Sequence, residues 1–348
     1  MSFAGKTGLL LVNLGTPEQP EPRAVRRYLR EFLSDPRVLT MPRVARWLLL
    51  NLIILPTRPR RAAQAYRQIW QPEGSPLLIH SRALAQEVAK RLGEDFAVEL
   101  AMRYGEPSIE RGLDALSRAG AARLIVLPLF PQYASAVTAS VSEAVFRALA
   151  RRNDVPPVEV LGPFYDEPDF ARSWAALVAD DLAAFRADHV LFSYHGLPED
   201  QIRASDPTGG HCLSRADCCD APGAALPRCY RAQCLATTRA LVAALGLDAT
   251  TTSSSFQSRL GGRPWIRPYT DEVLPRLAEQ GVRRLVVLCP AFVADCLETL
   301  EEIGLRLRAE WTKLGGEAFW LAPCPNGDPR FAEAVAGWIS RRVPAPRR

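Results

Sequence analysis

The sequence predicts an α/β fold of two similar doubly wound domains with parallel sheets, and three observations carry that prediction. Short apolar, β-branched runs ending in Gly or Pro recur along the chain, stretches with helical periodicity lie between them, and the two halves resemble each other. Strands that alternate with helices pair in parallel, with the helices covering both faces of the sheet.

In chain order, the runs at 9–14, 97–102, 123–127, 158–161, 189–193 and 284–288 read as buried strands. Helical periodicity falls at 77–92, 108–119, 169–185, 233–245 and 270–280. Gly120 to Pro128 matches Gly281 to Pro290, and Asn13-Leu14-Gly15-Thr16-Pro17 follows its strand as Tyr194-His195-Gly196-Leu197-Pro198 follows its own. The repeat places a boundary near residues 160 to 168, with an N-terminal domain over 1–162 and a C-terminal domain over 163–348 whose last helix packs back on the first. Ligands of open parallel sheets bind beyond the carboxyl ends of the strands, where these loops fall.

Composition bounds the function classes. The 348 residues are 48% hydrophobic and 23% charged, which excludes disordered and low-complexity chains. The balance of 43 Lys plus Arg against 38 Asp plus Glu, +5, is spread without the dense basic tracts of a nucleic-acid binder. Met1 to Gly8 does not read as a signal peptide, and no apolar run approaches the 18 or so residues of a membrane span. The expected location is the cytoplasm, where the eight cysteines read as ligands, catalytic groups or core residues and not as a disulfide framework.

One segment fits neither repeat. From Met41 to Tyr66 an apolar ridge around Trp47 to Leu55 is followed by Arg58, Arg60 and Arg61. It reads as a buried helix, as the lip of an apolar pocket, or as a peripheral contact with an anionic membrane. The basic end, Arg341, Arg342, Arg347 and Arg348, reads as a solvated tail.

Of the four histidines, His195 stands out because it leaves a strand inside a Gly- and Pro-held loop, a place for proton transfer by imidazole. His80 and His189 lack that setting and read as structural. Beyond the strand at 284–288, a helix at 100° per residue brings Asp295, Glu298 and Glu302 within about 60° of one another and turns Glu301 away. Three carboxylates on one face repel unless a cation or a proton relieves them, so the face is either a metal or proton relay or a solvated acidic surface.

Five cysteines, Cys212, Cys218, Cys219, Cys229 and Cys234, fall in one short window. The surrounding residues 206–228 are rich in Gly, Pro, Asp and Ala, too poor in apolar side chains for a core, and would gain order from a metal. Adjacent cysteines depart from the zinc knuckle, so thiolates on an irregular loop suit an iron-sulfur cluster, with zinc and free thiols as the alternatives. Dinucleotide, P-loop and zincin motifs are all missing.

Together these residues resemble the protoheme ferrochelatases, which insert Fe(II) into protoporphyrin IX. The likeness runs through Leu11 to Pro17, Arg103-Tyr104-Gly105, Pro128 to Tyr133, Ser193 to Pro198, Ser255 to Arg259, Pro264-Trp265 and Pro290 to Glu302. It implies two Rossmann-type, chelatase-like domains with a porphyrin cleft between them and a lip at about 41–66 that meets the membrane. His195 and Glu298 fall on the family's catalytic residues, with His195, Glu298, Asp295 and Glu302 expected to handle the substrate iron. Cys296 stands where many relatives carry a second histidine, which gives the carboxylates more weight. Leu14, Arg103, Tyr104, Phe130, Tyr133, Trp265 and Arg259 are expected to hold the porphyrin, the two arginines facing its propionates. Leu14, where coproporphyrin relatives often show Tyr, favours protoporphyrin over coproporphyrin as substrate. The insertion at about 206–229 resembles that of bacterial relatives holding a [2Fe-2S] cluster and implies Cys212, Cys218, Cys219 and Cys229 as ligands, with Cys234 as a substitute for one of them. From another class, a non-catalytic porphyrin-binding or redox-sensing protein would also use these cysteines.

Overall fold

The computed structural model describes residues 5–343 apart from 222 and 260; Arg347, Arg348 and the first four residues lie outside it. The chain divides into two compact units. The first comprises Met1–Phe130, Ala134–Pro163 and Asn326–Arg348, and the second Pro131–Tyr133 and Phe164–Pro325.

The first unit holds strands β1 (Lys6–Gly15), β2 (Phe96–Tyr104), β3 (Ala121–Pro128) and β4 (Val158–Val160), all parallel in the order β2-β1-β3-β4. Its helices are α1 (Pro22–Ser34), α2 (Arg43–Leu48), α3 (Leu55–Ile69), α4 (Pro76–Leu92), α5 (Ile109–Arg118) and α6 (Ser140–Leu149). Leu9 to Val12 are fully buried because the central β1 is covered on both faces, which is why that strand is continuously apolar. Leu10 and Val12 pack with Leu113 and Leu116 of α5 and Val141 and Val145 of α6. Gly15 closes β1 at φ +117°, where a Cβ would lie 1.8 Å from the Tyr104 carbonyl oxygen, so only glycine fits.

The second unit repeats the plan with β5 (His189–His195), β6 (Thr252–Gln257), β7 (Arg284–Leu288) and β8 (Ala318–Leu321), parallel in the order β6-β5-β7-β8. Its helices are α7 (Pro168–Phe185), α8 (Glu199–Ala204), α9 (Tyr230–Leu245), α10 (Thr270–Glu279) and α11 (Arg308–Lys313). The last helix, α12 (Pro329–Ser340), belongs to the first unit and packs on α4. The doubly wound α/β prediction holds in each unit.

Two strands have no counterpart in the sequence prediction. β6 is built from Thr252, Ser253, Ser254 and Ser255 and so carries no apolar signal; its hydroxyls instead pair with His189, Thr238 and Thr270. β8 is only four residues long. The helix expected to run back from Glu302 through Asp295 also differs. Residues Glu298–Leu307 form a π-helix that begins at Glu298, and Asp295 precedes it.

Among the described residues no helix is long and apolar enough to cross a membrane. The ridge read as a lip folds as α2 running into a π-helical turn, Leu49–Ile54, and then α3. Leu50, Ile54 and Leu55 face inward against Leu33, while Val44, Trp47, Leu48, Leu52 and Ile53 are exposed, Trp47 by 59% and Leu52 by 63%. The ridge is therefore two-sided, and the reading as an ordinary buried helix fits only its inner face.

Candidate active site

The parallel order of the second sheet brings three strand ends together. His195 is the last residue of β5, opposite Gln257 at the end of β6, and the turn after β7 leads to Glu298. Gly196 holds the first turn: its N–H donates to the Gln257 carbonyl at 2.8 Å. A Cβ there would meet that oxygen at 2.9 Å and the Trp265 ring at 3.2 Å.

The His195 Nδ1 lies 2.6 Å from the Gly196 carbonyl oxygen. A carbonyl only accepts, so Nδ1 carries the hydrogen and the lone pair of the neutral ring sits on Nε2. The Tyr230 hydroxyl donates to the His195 carbonyl at 2.8 Å and fixes the backbone beneath the ring. Phe292 stands edge-on to the imidazole, centroids 6.5 Å apart.

Glu302 accepts a hydrogen bond from the Ser258 hydroxyl and an ion pair from Arg306 at 3.2 Å. Burial and the neighbouring Glu298 charge raise its carboxyl above the usual range, against the opposing pull of Ser258, His195 and Arg306. The Glu298 carbonyl accepts from Gln257 Nε2 at 2.8 Å, and the Gln257 oxygen accepts from Ser193 at 2.6 Å. Ser258 adopts a positive φ of 66° and is the first residue past β6. Gln257 and Ser258 thus position the acidic residues, a role the sequence reading did not give them. Their signal is positional: they leave β6 as His195 leaves β5.

Asp295 corrects the prediction of a shared acidic face. Its two oxygens accept from the Thr299 hydroxyl at 2.9 Å and the Cys324 N–H at 3.2 Å, and it is 5% exposed. It therefore ties the turn after β7 to the segment after β8, with both oxygens engaged, while Glu298 and Glu302 remain together one turn on. Cys296 is buried with its thiol against Glu298, and burial with that charge pushes the thiol up.

The cysteine segment is irregular, as expected. Asp206 organises its start by accepting from the N–H groups of Thr208, His211 and Cys212. Cys212, Cys218, Cys219 and Cys229 are all buried. Cys229 hydrogen-bonds with both Cys212 and Cys219, and the Cys218 and Cys219 sulfurs lie 4.0 Å apart. Cys218 Sγ accepts from the Leu213 N–H and Cys219 Sγ from Arg231 at 3.1 Å. Cys234 pairs with Tyr230. Among the described residues no group of three or more His, Cys, Asp or Glu side chains is arranged to hold a metal ion, although neighbouring contacts link the four thiols in a series.

The ferrochelatase family profile matches residues 6–343. The chain is 47% identical over 331 residues to a ferrochelatase of Coxiella burnetii, covering 95% of this chain and 92% of that one. It is 48% identical to that of Azotobacter vinelandii, covering 94% and 96%, and 43% identical to that of Legionella pneumophila, covering 97% and 100%. The chain belongs to the ferrochelatase family. Among solved structures, SirB of Bacillus subtilis with Fe3+ superposes at a TM-score of 0.54 with 13% identity, covering 97% of this chain and 95% of that one, a likeness of fold.

Within this ferrochelatase-family chain, the expected porphyrin contacts fall into different settings. Trp265 lies beside the His195 loop, and its backbone bridges Pro198. Tyr133 is partly exposed and its N–H donates to Gln233 Oε1 at 2.6 Å. Leu14 is partly exposed at the end of β1. Phe130 is packed against the core of the first unit. Arg259 is stacked on Tyr269 and paired with Asp271. Tyr104 and Arg103 are corrections. Tyr104 is 1% exposed with its hydroxyl on Asp35 and Ser140, and Arg103 is held by the same Asp35 at 2.7 Å, so both serve the interior of the first unit.

Proposed function

We propose that the chain inserts Fe(II) into protoporphyrin IX to form protoheme, with His195, Glu298 and Glu302 as its working groups. The observation that carries this reading is a base at the end of β5, with Nδ1 engaged and Nε2 bearing no hydrogen bond among the described residues, and two carboxylates on the helical segment that follows β7 of the same sheet, in the ferrochelatase family. Insertion releases two pyrrole protons and needs a group to receive them. His195 Nε2 takes a proton from the macrocycle. Glu302, raised by burial and by Glu298, accepts and hands on protons, while Glu298 offers oxygen to the substrate iron. Trp265, beside the histidine turn, supplies an apolar wall for the ring.

Cys212, Cys218, Cys219 and Cys229 would hold a [2Fe-2S] cluster. Their donor chemistry fits it: four buried thiols, an N–H and a guanidinium donating to sulfur, and few apolar side chains nearby. When bound, such a cluster supplies one-electron chemistry and a covalent tie across the segment. The exposed face of Val44, Trp47, Leu48, Leu52 and Ile53, with Arg58, Arg60 and Arg61 following, rests on an anionic membrane as a peripheral contact of a cytoplasmic protein.

The test is anaerobic purification, a visible absorption spectrum, and then addition of Fe(II) and protoporphyrin IX. Haem is expected to form; without it the chelatase reading fails. Sulfur-to-iron bands are expected and should vanish in Cys218→Ser; a colourless protein would remove the cluster alone. In co-sedimentation with phosphatidylglycerol vesicles, Trp47→Glu with Ile53→Glu is expected to reduce the bound fraction at least about tenfold, since two exposed apolar side chains that would enter the lipid become charges. Unchanged sedimentation would remove the membrane contact.

A further inference from the structure

A recessed surface lies within the first unit and is lined by none of the residues assigned to chemistry. α4 and α5 flank β2 and leave a cavity of about 460 Å³. β2 is an edge strand: among the described residues it pairs only with β1, and no strand lies on its other side.

The backbone of that edge faces the trench. The Met102 N–H donates outward to the Pro107 carbonyl at 2.6 Å, and Met102 bridges Ser108 in parallel. Backbone direction repeats every two residues along a strand, so the N–H and C=O groups of Leu100 and Val98 point the same way. The chain begins an outer strand with its own Pro107 and Ser108 and leaves the pairing open below.

The walls leave room for such a strand. α4 presents Ala85 and Ala89, and α5 presents Gly112 and Ala115, small residues spaced along each helix. Arginines stand at the rims: Arg82 on α4, Arg111 and Arg118 on α5, all exposed, and none forms one of the described ion pairs. Glu99 is the one carboxylate in the lining, which leaves a net +2 (three Arg minus one Glu). Edge strands are commonly protected by charges on the strand itself. β2 carries Glu99 and Arg103 itself, and the lining cations sit on the flanking helices, where they would meet the side chains of an added strand.

We propose that this trench binds an extended acidic segment of a partner protein, which pairs with Val98 and Leu100 as a fifth strand and places its carboxylates against Arg82, Arg111 and Arg118. Main-chain pairing supplies affinity in such an addition and the alternating side chains supply specificity. Arg111 and Arg118 are seven residues apart, about 10 Å along a helix, the length of about three strand residues. A short segment therefore spans the site.

The probe is a fluorescein-labelled seven-residue peptide of alternating Glu and Val, titrated into the full chain by anisotropy. Binding is expected, with slowed hydrogen exchange at the Val98 and Leu100 amides. Arg111→Glu with Arg118→Glu is expected to weaken it at least about tenfold, since like charges then face each other. Metal insertion should be unchanged. The same peptide N-methylated at alternate residues keeps its charge and loses strand donors, and should bind at least about tenfold more weakly. No binding, equal binding by the methylated peptide, unaltered exchange at Val98 and Leu100, or tighter binding of an oligouridylate than of the peptide would overturn the proposal.

Discussion

A His195→Ala enzyme is expected to insert iron about 10²- to 10⁴-fold more slowly than its parent, with affinity for porphyrin little changed. The ring is held from below by the Gly196 carbonyl on Nδ1 and by Tyr230 on the His195 carbonyl, which leaves Nε2 as the group that meets a proton. Removing the imidazole removes that acceptor while Gly196, Gln257 and Trp265 keep the turn. The measurement is the initial rate of haem formation across porphyrin concentrations: kcat should collapse and KM should hold. A kcat within a few-fold of the parent would assign proton transfer elsewhere. A matched rise in KM would make the ring a binding group. Loss of His195 also withdraws one of the influences that lower the Glu302 carboxyl, which leaves that acid still more raised by burial and by Glu298.

The settings of His195 and Glu298 are legible because His195 ends one apolar strand and Glu298 opens the helical segment that follows another. β6 has no such mark, so Gln257 and Ser258, which occupy the matching position, carry the family resemblance but no role of their own in the sequence; the β6 serines are satisfied by His189, Thr238 and Thr270, partners that no local pattern reveals. Asp295 was placed on a face with Glu298 by extending α-helical periodicity backwards. The chain is not helical there, and the π-helix that follows has a different angular step. Arg103 and Tyr104 are expected as porphyrin contacts only through the family resemblance, which says nothing of their partners. What decides their role is Asp35, 68 residues earlier, and only folding brings it near. The doubly wound plan, by contrast, follows from the alternation of runs and the internal repeat, and the apolar ridge at Trp47 to Leu55 is marked in the sequence although its exposed face is not.

Replacing Asp35 with alanine is expected to destabilise the first unit by about 3–5 kcal/mol, the cost of leaving a buried charge unpaired. Asp35 is the C-cap residue of α1 and is 7% exposed. One of its oxygens accepts from Arg103 at 2.7 Å, Tyr104 at 2.8 Å and Ser140 at 2.6 Å, so a single carboxylate joins α1, β2 and α6. Its other oxygen accepts the Arg37 N–H. Without it the Arg103 guanidinium keeps Ser140 and the face of Tyr104 but loses its counter-charge. Burial pushes the Asp35 carboxyl up, yet the Ser140, Arg37 and Tyr104 hydrogen bonds and the Arg103 charge outweigh it, so it ionises below the ordinary value of 3.8. A carboxyl lowered on folding stabilises fully above its unfolded value and loses that contribution as pH falls through the folded one. Urea denaturation followed by circular dichroism should therefore show a constant gap between parent and Asp35→Ala at neutral pH, and the gap should narrow below about pH 4 as the parent loses its ionised carboxylate. A gap under about 1 kcal/mol at pH 7 would be that of an exposed ion pair, and would mean that the three elements hold together without their shared acceptor.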